Sequence, residues 1–432
     1  MFKSYTLIKK LIVSLLTGLL VGLVVGIYQF ILPYVTKGSE YMFNNHSWRV
    51  ILLNIVLIIM LSVLNFFIIK KASSVDSSGI IAINLALRHN EDISFKKEIP
   101  LMIINSSIST YAQLPLGSEG PSITLAGKCA SLINHLFKVK DDDNIKIAFG
   151  AGFGGAFVSP LSGFFYSFEE ELHKVNFELI LRTLVTVIGM GAIIILLNSH
   201  HSLSFDYVNY LPITEMYVLF ISSLLIVIVA PIFLFTINSF KKFFNKYENN
   251  FFVKYRAFIF FILMIIFGYT IIPYLGSGDK IIDDSLMYQS VYLIILILVF
   301  RIILTSIMGN GKVTGGLIVP SLCFGALIGS LSSLVFEKYF SLDSSYRSFI
   351  ILASMCLFFA FISEAPITAV VLFFSNLVYS NESFNVFNYS TCFVILLIVI
   401  VFFVTKIFNV KPLYDMLVDT QDEFNKHKIV NK

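Results

Sequence analysis

Residues 117–123 read GSEGPSI. The stretch is polar and turn-forming, and its one carboxylate, Glu119, sits between Gly117 and the pair Gly120-Pro121 in a chain that is otherwise strongly apolar. Pro121 fits the first turn of a helix, where its missing N–H would have had no partner. A helix that starts here leaves the N–H groups of Gly117, Ser118 and Glu119 free at the positive end of its dipole. Such an end attracts an anion without a full positive charge. Glu119 is then an anion tethered at an anion site: ionised, it blocks the place, and protonated, it swings aside. The plain alternative is a capping carboxylate. Membrane depth favours the functional reading, because ionisable groups there are expensive to keep.

Membrane depth follows from composition. The 432 residues are 57% hydrophobic and 13% charged, with a mean hydropathy of +0.84, beyond what a water-facing surface tolerates. A bilayer core about 30 Å thick takes roughly 20 apolar residues per helical span. Such runs recur at Leu11–Leu32, Val50–Ile69, Leu179–Leu197, Met216–Ile237, Ala257–Ile272, Val291–Met308 and Val386–Val404. The chain therefore reads as an all-α polytopic membrane protein. The first run, after Lys3, Lys9 and Lys10, is too long for a secretory signal and lacks a small-x-small cleavage site, so it counts as a span. Arg301 interrupts the sixth run and makes it the least regular. Cys129, Cys323, Cys356 and Cys392 lie in apolar surroundings with no framework spacing and read as buried free thiols.

Lysine and arginine near span ends mark the cytoplasmic side. Lys3, Lys9, Lys10, Lys70, Lys71, the block from Lys241 to Arg256, and Lys406, Lys411, Lys426 and Lys428 place both termini there. The loop that holds Lys37 alone and the stretch NSHHSLSFDYVNYLP read as external. With no linker, low-complexity tract or basic arm, residues 1–432 read as one transmembrane domain without a nucleic-acid partner. The 22 residues after Val410 are expected to hold no regulatory module.

Residues 99–170 are mainly apolar yet carry Pro115, Gly117, Gly120, Pro121, Gly127, Gly150, Gly152, Gly154, Gly155, Pro160 and Gly163. Broken backbone of this kind is tolerated in lipid only where it is buried in protein or lines a wet cavity. The pattern returns further on. EGPSITLAG matches IVPSLCFGA, and GAFVSPLSGFFYSF matches FAFISEAPITAVVLFF, each around a proline; Pro121 to Pro160 spans 39 residues and Pro320 to Pro366 spans 46. Two ordered matches point to diverged halves, approximately 11–200 and 213–424. In transporters such repeats are commonly inverted and meet at the midplane. In TGGLIVPS, Gly315 to Val319 lead into Pro320 as a second helix start suited to an anion. Partial charges hold an ion yet let it leave.

These motifs, in this order, resemble the CLC family of chloride channels and chloride/proton exchangers. Gly117-Ser118-Glu119-Gly120-Pro121 is similar to the family's Gly-Lys/Arg-Glu-Gly-Pro, and Gly316-Leu317-Ile318-Val319-Pro320 is similar, more loosely, to its Gly-x-Phe-x-Pro. Ser77-Ser78-Gly79-Ile80 resembles its Gly-Ser-Gly-Ile-Pro loop without the proline, KPLY puts Tyr414 at its pore tyrosine, and SPLSGFFYSFEEE resembles its helix ending in paired glutamates. The resemblance runs from about Leu11 to the end of the chain. It implies a CLC-type inverted repeat of some eighteen tilted and re-entrant helices, in a homodimer with one pore per subunit in a lipid bilayer.

It further implies a central chloride held by the Ser78 and Tyr414 hydroxyls and the N–H groups of Leu317 and Ile318. An outer site would use N–H groups around Ser118, Glu119 and Gly120 with those from Gly316 to Val319. Glu119 would be the gating glutamate, and no metal or organic cofactor is implied. Without the resemblance, Ser78 reads as a helix cap and Tyr414 as an interfacial aromatic.

Counting from Pro160, Glu170 falls where the family's exchangers resemble one another in an internal proton-relay acid, although the neighbours Glu169 and Glu171 leave the register open by one residue. A half-buried glutamate near other carboxylates suits a relay, since such a group can change charge near physiological pH. The expected function is thus proton-coupled exchange of chloride or another halide in a cell membrane. Two same-family alternatives stay open: a passive chloride channel, and a fluoride/proton exchanger, to which Ser118 in place of the basic residue points. From another class, a cation-coupled carrier of organic solutes would also show broken helices and repeats.

Overall fold

The computed structural model describes residues 6–197, 209–380 and 388–430. Its helices, in chain order, begin with α1 (Leu7–Asn44), α2 (Trp48–Lys71), α3 (Ile80–Arg88), α4 (Glu98–Tyr111), α5 (Glu119–Leu136), α6 (Asp142–Ala156), α7 (Pro160–Tyr166) and α8 (Phe177–Leu196). There follow α9 (Tyr217–Lys246), α10 (Phe251–Lys254), α11 (Arg256–Ile271), α12 (Asp279–Asp284), α13 (Val291–Met308), α14 (Ile318–Phe340), α15 (Arg347–Ser363), α16 (Pro366–Ser380), α17 (Tyr389–Ile407) and α18 (Leu413–Val430). Pairing outside helices consists of two isolated bridges among the described residues, Ser77 with Thr314 and Gly117 with Gly316. The protein is an all-α polytopic membrane protein.

Nine segments among the described residues are long and apolar enough to span a bilayer. Seven coincide with the runs read from sequence, although the start of the run at Val386 lies outside the described residues. The two additional ones are Ile318–Phe340 and Ser344–Ser363, and 89% of each apolar window is buried inside the protein. Their serines and glycines interrupt the oily pattern because these helices face protein and not lipid. Gly325 and Gly329 show why: a Cβ on either would press within 3.0 Å of the α15 backbone. The first pair of helices packs by the same rule. A Cβ at Gly18 of α1 would collide with the Thr186 carbonyl of α8, and one at Gly22 would lie 2.7 Å from that of Met190. Small residues let the two backbones approach where lipid gives no hydrophobic drive for helices to associate.

The matched prolines occupy matched places. Pro121 and Pro320 each sit in the first turn of a helix, α5 and α14, while Pro160 and Pro366 open α7 and α16. Between them run α6 and α15, so α5-α6-α7 and α14-α15-α16 follow one order.

Arg301 does not weaken its span. It is fully buried inside α13, and its guanidinium donates to the carbonyls of Gly276 at 2.7 Å and Ser277 at 3.0 Å in the turn before α12. Three other buried cations are paired as the low dielectric demands. Arg182 of α8 donates to Asp141 at 2.6 Å and Ser14 at 3.2 Å, Arg347 of α15 pairs with Glu337 of α14, and Lys128 of α5 pairs with Glu98 of α4. The Lys128 ammonium also donates to Ser74 at 2.9 Å and to the Ser94 carbonyl at 3.3 Å. Three cysteines are buried as expected; Cys392, on α17, is exposed.

The Lys128–Glu98 pair yields a double-mutant prediction. Lys128 is fully buried, so Glu98→Leu alone strands an ammonium and should destabilise by about 3–5 kcal/mol, whereas Glu98→Leu with Lys128→Met removes both charges and should restore most of that loss. Thermal unfolding in detergent checks it. Additive losses from the two substitutions would show that the pair is not coupled.

Candidate functional site

The site begins where two chain segments cross. Gly117 N–H donates to the Gly316 carbonyl at 2.9 Å and Gly316 N–H returns a bond to Gly117 at 2.7 Å. Beside this pair, Ser77 N–H donates to Val313 at 2.8 Å and Gly315 N–H to Ser77 at 3.0 Å. The approach is close: a Cβ on Gly120 would lie 2.7 Å from both the Gly316 Cα and the Ser78 Cβ. Glycine is required at the contact because any side chain would part the segments. A buried polar network holds the crossing from behind. Asn105 of α4 donates to Thr314 at 2.7 Å and to Asn65 of α2 at 2.9 Å, and Thr314 donates to the Val75 carbonyl at 2.5 Å.

The crossing brings the starts of α3, α5 and α14 to one place, and α18 supplies Tyr414. Ser78 is fully buried; its hydroxyl accepts from the Ile80 N–H at 3.3 Å, and its carbonyl accepts from Thr124 of α5 at 2.6 Å. Gly79, at φ 77°, makes the left-handed turn into α3. The Tyr414 hydroxyl lies against the Ser78 side chain and accepts from the Leu317 N–H at 3.3 Å. Ser78, Tyr414, Leu317 and Ile318 are thus neighbours, all buried.

Two donors expected at the anion face elsewhere. The N–H groups of Gly117 and Gly316 are committed to each other's carbonyls. Sequence spacing did not reveal this, because the pairing joins residues far apart in the chain. Glu119, Gly120, Ile318 and Val319 remain in the opening turns of α5 and α14, where N–H groups have no partner within the helix.

Glu119 is 3% exposed. Its Oε1 accepts from the Ser118 hydroxyl at 2.9 Å, its Oε2 is buried without a hydrogen-bond partner, and the carboxylate lies beside the N–H groups of Glu119 itself and Val319. The side chain folds back over Gly117, against which its Oε2 leaves no room for a Cβ. Ser118 therefore acts through its hydroxyl on the glutamate, and Gln29 of α1 donates to that hydroxyl at 3.3 Å. A vestibule of about 420 Å³ reaches Glu119 from one face, lined also by Gln29, Lys37, Asp279 and Lys280.

From the opposite face a second vestibule, about 400 Å³, is lined by Asp142, Asp143, Lys146, Glu170, Glu171 and Asp415, among others. Burial raises the Asp415 carboxyl above the ordinary aspartate value, while His173 and Arg88 draw it back. The three neighbouring glutamates separate by contact. Glu169 accepts from the N–H groups of Ile367 at 2.8 Å and Thr368 at 2.7 Å and from the Thr368 hydroxyl at 2.7 Å, so it caps α16. Glu171 is buried, with its carbonyl accepting from Lys146 at 3.0 Å. Glu170, half-buried, lines both this vestibule and a small cavity of about 10 Å³ shared with Tyr166, Ile318, Phe359 and Tyr414. The π-helical turn Ser167–Leu172 sets these directions, a local feature with no signature in FEEE itself.

Comparison with known proteins fits this arrangement. The model of the family described as voltage gated chloride channel matches residues 61–378. A protein of Salmonella paratyphi A named H(+)/Cl(-) exchange transporter ClcA is 22% identical over 359 residues, covering 78% of this chain and 73% of its own. One of the same name from Citrobacter koseri is 22% identical over 337 residues, covering 73% and 69%. Among solved structures, a slow cyanobacterial Cl-/H+ antiporter superposes with a TM-score of 0.83 at 19% identity, over 97% of this chain and 99% of that one. A CLC-type fluoride/proton antiporter does so with 0.76 at 18% identity, over 96% and 99%. With nearly three quarters of its length matched by the family model, this chain belongs to the voltage-gated chloride channel (CLC) family.

Proposed function

We propose that this protein exchanges chloride for protons, and that the reading rests on two carboxylates facing one path. Glu119 occupies the meeting point of the α5 and α14 starts, and Glu170 faces the same interior from the other vestibule, with Tyr166 and Tyr414 around the small cavity between. That cavity has room for about one water, enough to hand a proton across a gap. The names of the relatives support the same reaction class.

In this mechanism the ionised Glu119 carboxylate holds the outer anion position. Chloride in the central position touches the Ser78 and Tyr414 hydroxyls and the opening N–H groups of α14 at Leu317 and Ile318. A proton delivered through Glu170 neutralises Glu119, which loses its attraction to the helix starts and gives its place near Ser118, Gly120 and Val319 to the anion. Each passage of the anion is tied to a change of charge on Glu119. Partial charges keep the ion loosely enough held to leave.

The remaining assignments belong to the same proposal. The face rich in Lys70, Lys241, Lys254 and Lys428 is cytoplasmic, which puts the Glu170 vestibule and both chain ends inside and the Glu119 vestibule outside a cell membrane. Residues 1–432 act as one transmembrane domain with halves near 11–200 and 213–424, in a homodimer whose subunits each carry a pathway. Chloride, and not fluoride, is the substrate in this reading, because Ser78 and Glu170 stand at the central serine and internal glutamate, where the family's fluoride/proton branch resembles the chloride exchangers less.

Flux measurements on reconstituted variants test the reading. Glu119→Gln should abolish proton movement while anion flux continues, and Glu170→Gln should weaken proton coupling with the anion pathway intact. Coupling that survives both substitutions would sink the assignment. Glu169→Ala should behave differently: loss of the α16 cap should lower stability by about 0.5–2 kcal/mol in thermal unfolding and leave the coupling ratio unchanged. A change in coupling with unchanged stability would exchange the roles of Glu169 and Glu170.

A further inference from the structure

The vestibule that reaches Glu119 holds a second carboxylate in the same condition. Among the described residues, two carboxylate oxygens are buried without a hydrogen-bond partner, Oε2 of Glu119 and Oδ1 of Asp279. Both residues line this one space of about 420 Å³. A buried acceptor left bare is costly, and native folds keep few of them. Two at one vestibule ask for a use.

The bland role for Asp279 is that of a first-turn carboxylate on α12, drawn there by the helix dipole. In that role its oxygens would accept from the N–H groups of the turn. Instead Oδ2 accepts from the Ser277 hydroxyl at 2.6 Å, and Oδ1 has no donor.

The surroundings let Asp279 carry a charge without fixing one. Arg301 of α13 lies beneath the turn, where a Cβ on Gly278 would come within 3.2 Å of its guanidinium, and its charge acts on Asp279. Its hydrogen bonds to the turn go to the carbonyls of Gly276 and Ser277, not to the carboxylate. A carboxylate bonded directly to arginine would be held ionised, whereas this one is free to take a proton and return it. The other ionisable groups around it are Lys280 beside it, Lys37 and Glu40 of α1, Tyr274 in the turn before α12, Cys323 of α14 and Glu119 itself. Glu40 has the Lys280 ammonium 4.0 Å away, while the charges of Asp279 and Glu119 act on each other across the vestibule.

In the exchange mechanism Glu170 passes the proton to Glu119 from one side, and a partner is needed on the other. We propose, on the basis of that exchange, that Asp279 is this partner. The O–H bond of protonated Glu119 breaks, one forms on Oδ1 of Asp279, and the negative charge passes to Glu119. Asp279 then gives the proton to water in the vestibule, and the reverse order serves the opposite direction of transport. While the pair shares one proton it carries one negative charge, so Glu119 ionises and folds back over Gly117 without two carboxylates repelling each other.

Coupled chloride and proton flux from liposomes tests the assignment. Asp279→Asn keeps the shape and removes the acceptor, and should slow coupled turnover roughly tenfold or more. Asp279→Glu should recover most of the rate, which a role in packing alone would not allow. In Glu119→Gln, where no proton is carried, adding Asp279→Asn should cost no further anion flux. Unslowed turnover in Asp279→Asn would overturn the assignment. So would anion flux that changes with it in the Glu119→Gln background, since a fall marks a support of the fold and a rise marks a simple charge barrier to the anion. Proton uptake missing from the unaltered protein would overturn chloride/proton exchange and this step together, so the two failures are told apart before any variant is made.

Discussion

The reciprocal pair of backbone hydrogen bonds between Gly117 and Gly316 is the contact on which the rest of the site depends. It joins residues almost 200 positions apart and sets the starts of α5 and α14 face to face. Gly316 must be glycine because a Cβ there would meet the Gly120 backbone, and Gly117 because the Glu119 carboxylate folds over it. Once they touch, the Ser77 and Thr314 bridge, the Asn105 network and the Leu317 bond to Tyr414 fall into register around one buried point. Moving one segment by a single residue would break all of them together.

That arrangement solves a problem of charge in lipid. A lysine at the centre of an anion path would hold its ion too firmly and would cost several kcal/mol to bury. Helix starts supply partial positive charge from backbone that must be there in any case. Full charges appear only with partners, as in Lys128 with Glu98 and Arg182 with Asp141, or with backbone carbonyls, as in Arg301. Glu119 is held less firmly: one of its carboxylate oxygens is buried without a bond. An ionisable group held that loosely, at the one point where both helix starts meet, is placed to exchange its position with an ion.

Much of this was legible in the sequence, for identifiable reasons. Proline and glycine mark broken helices by local sterics, so Pro121, Pro320, Pro160 and Pro366 gave away the repeated order of elements. Lipid-facing spans announce themselves by uninterrupted hydrophobicity. What stayed hidden depends on contacts distant in sequence. Spans α14 and α15 were obscured because protein-facing helices tolerate glycine and serine. Arg301 looked like a defect until Gly276 and Ser277 supplied acceptors, and Gly316 looked like an anion donor until Gly117 claimed its N–H. The order Glu169, Glu170, Glu171 fixes no direction by itself; a π-helical turn and the start of α16 do.

The central claim is that the α3, α5 and α14 starts and Tyr414 form one anion path that the Glu119 carboxylate itself occupies. Anomalous diffraction from crystals grown in bromide, for the protein and for Glu119→Gln, measures this directly. The account predicts a peak within hydrogen-bonding reach of the Ser78 and Tyr414 hydroxyls and the Ile318 N–H in both, and a further peak in the variant where the carboxylate of Glu119 had been. Bromide density absent from both places, or an outer peak already present beside an unmoved Glu119 carboxylate, would contradict it.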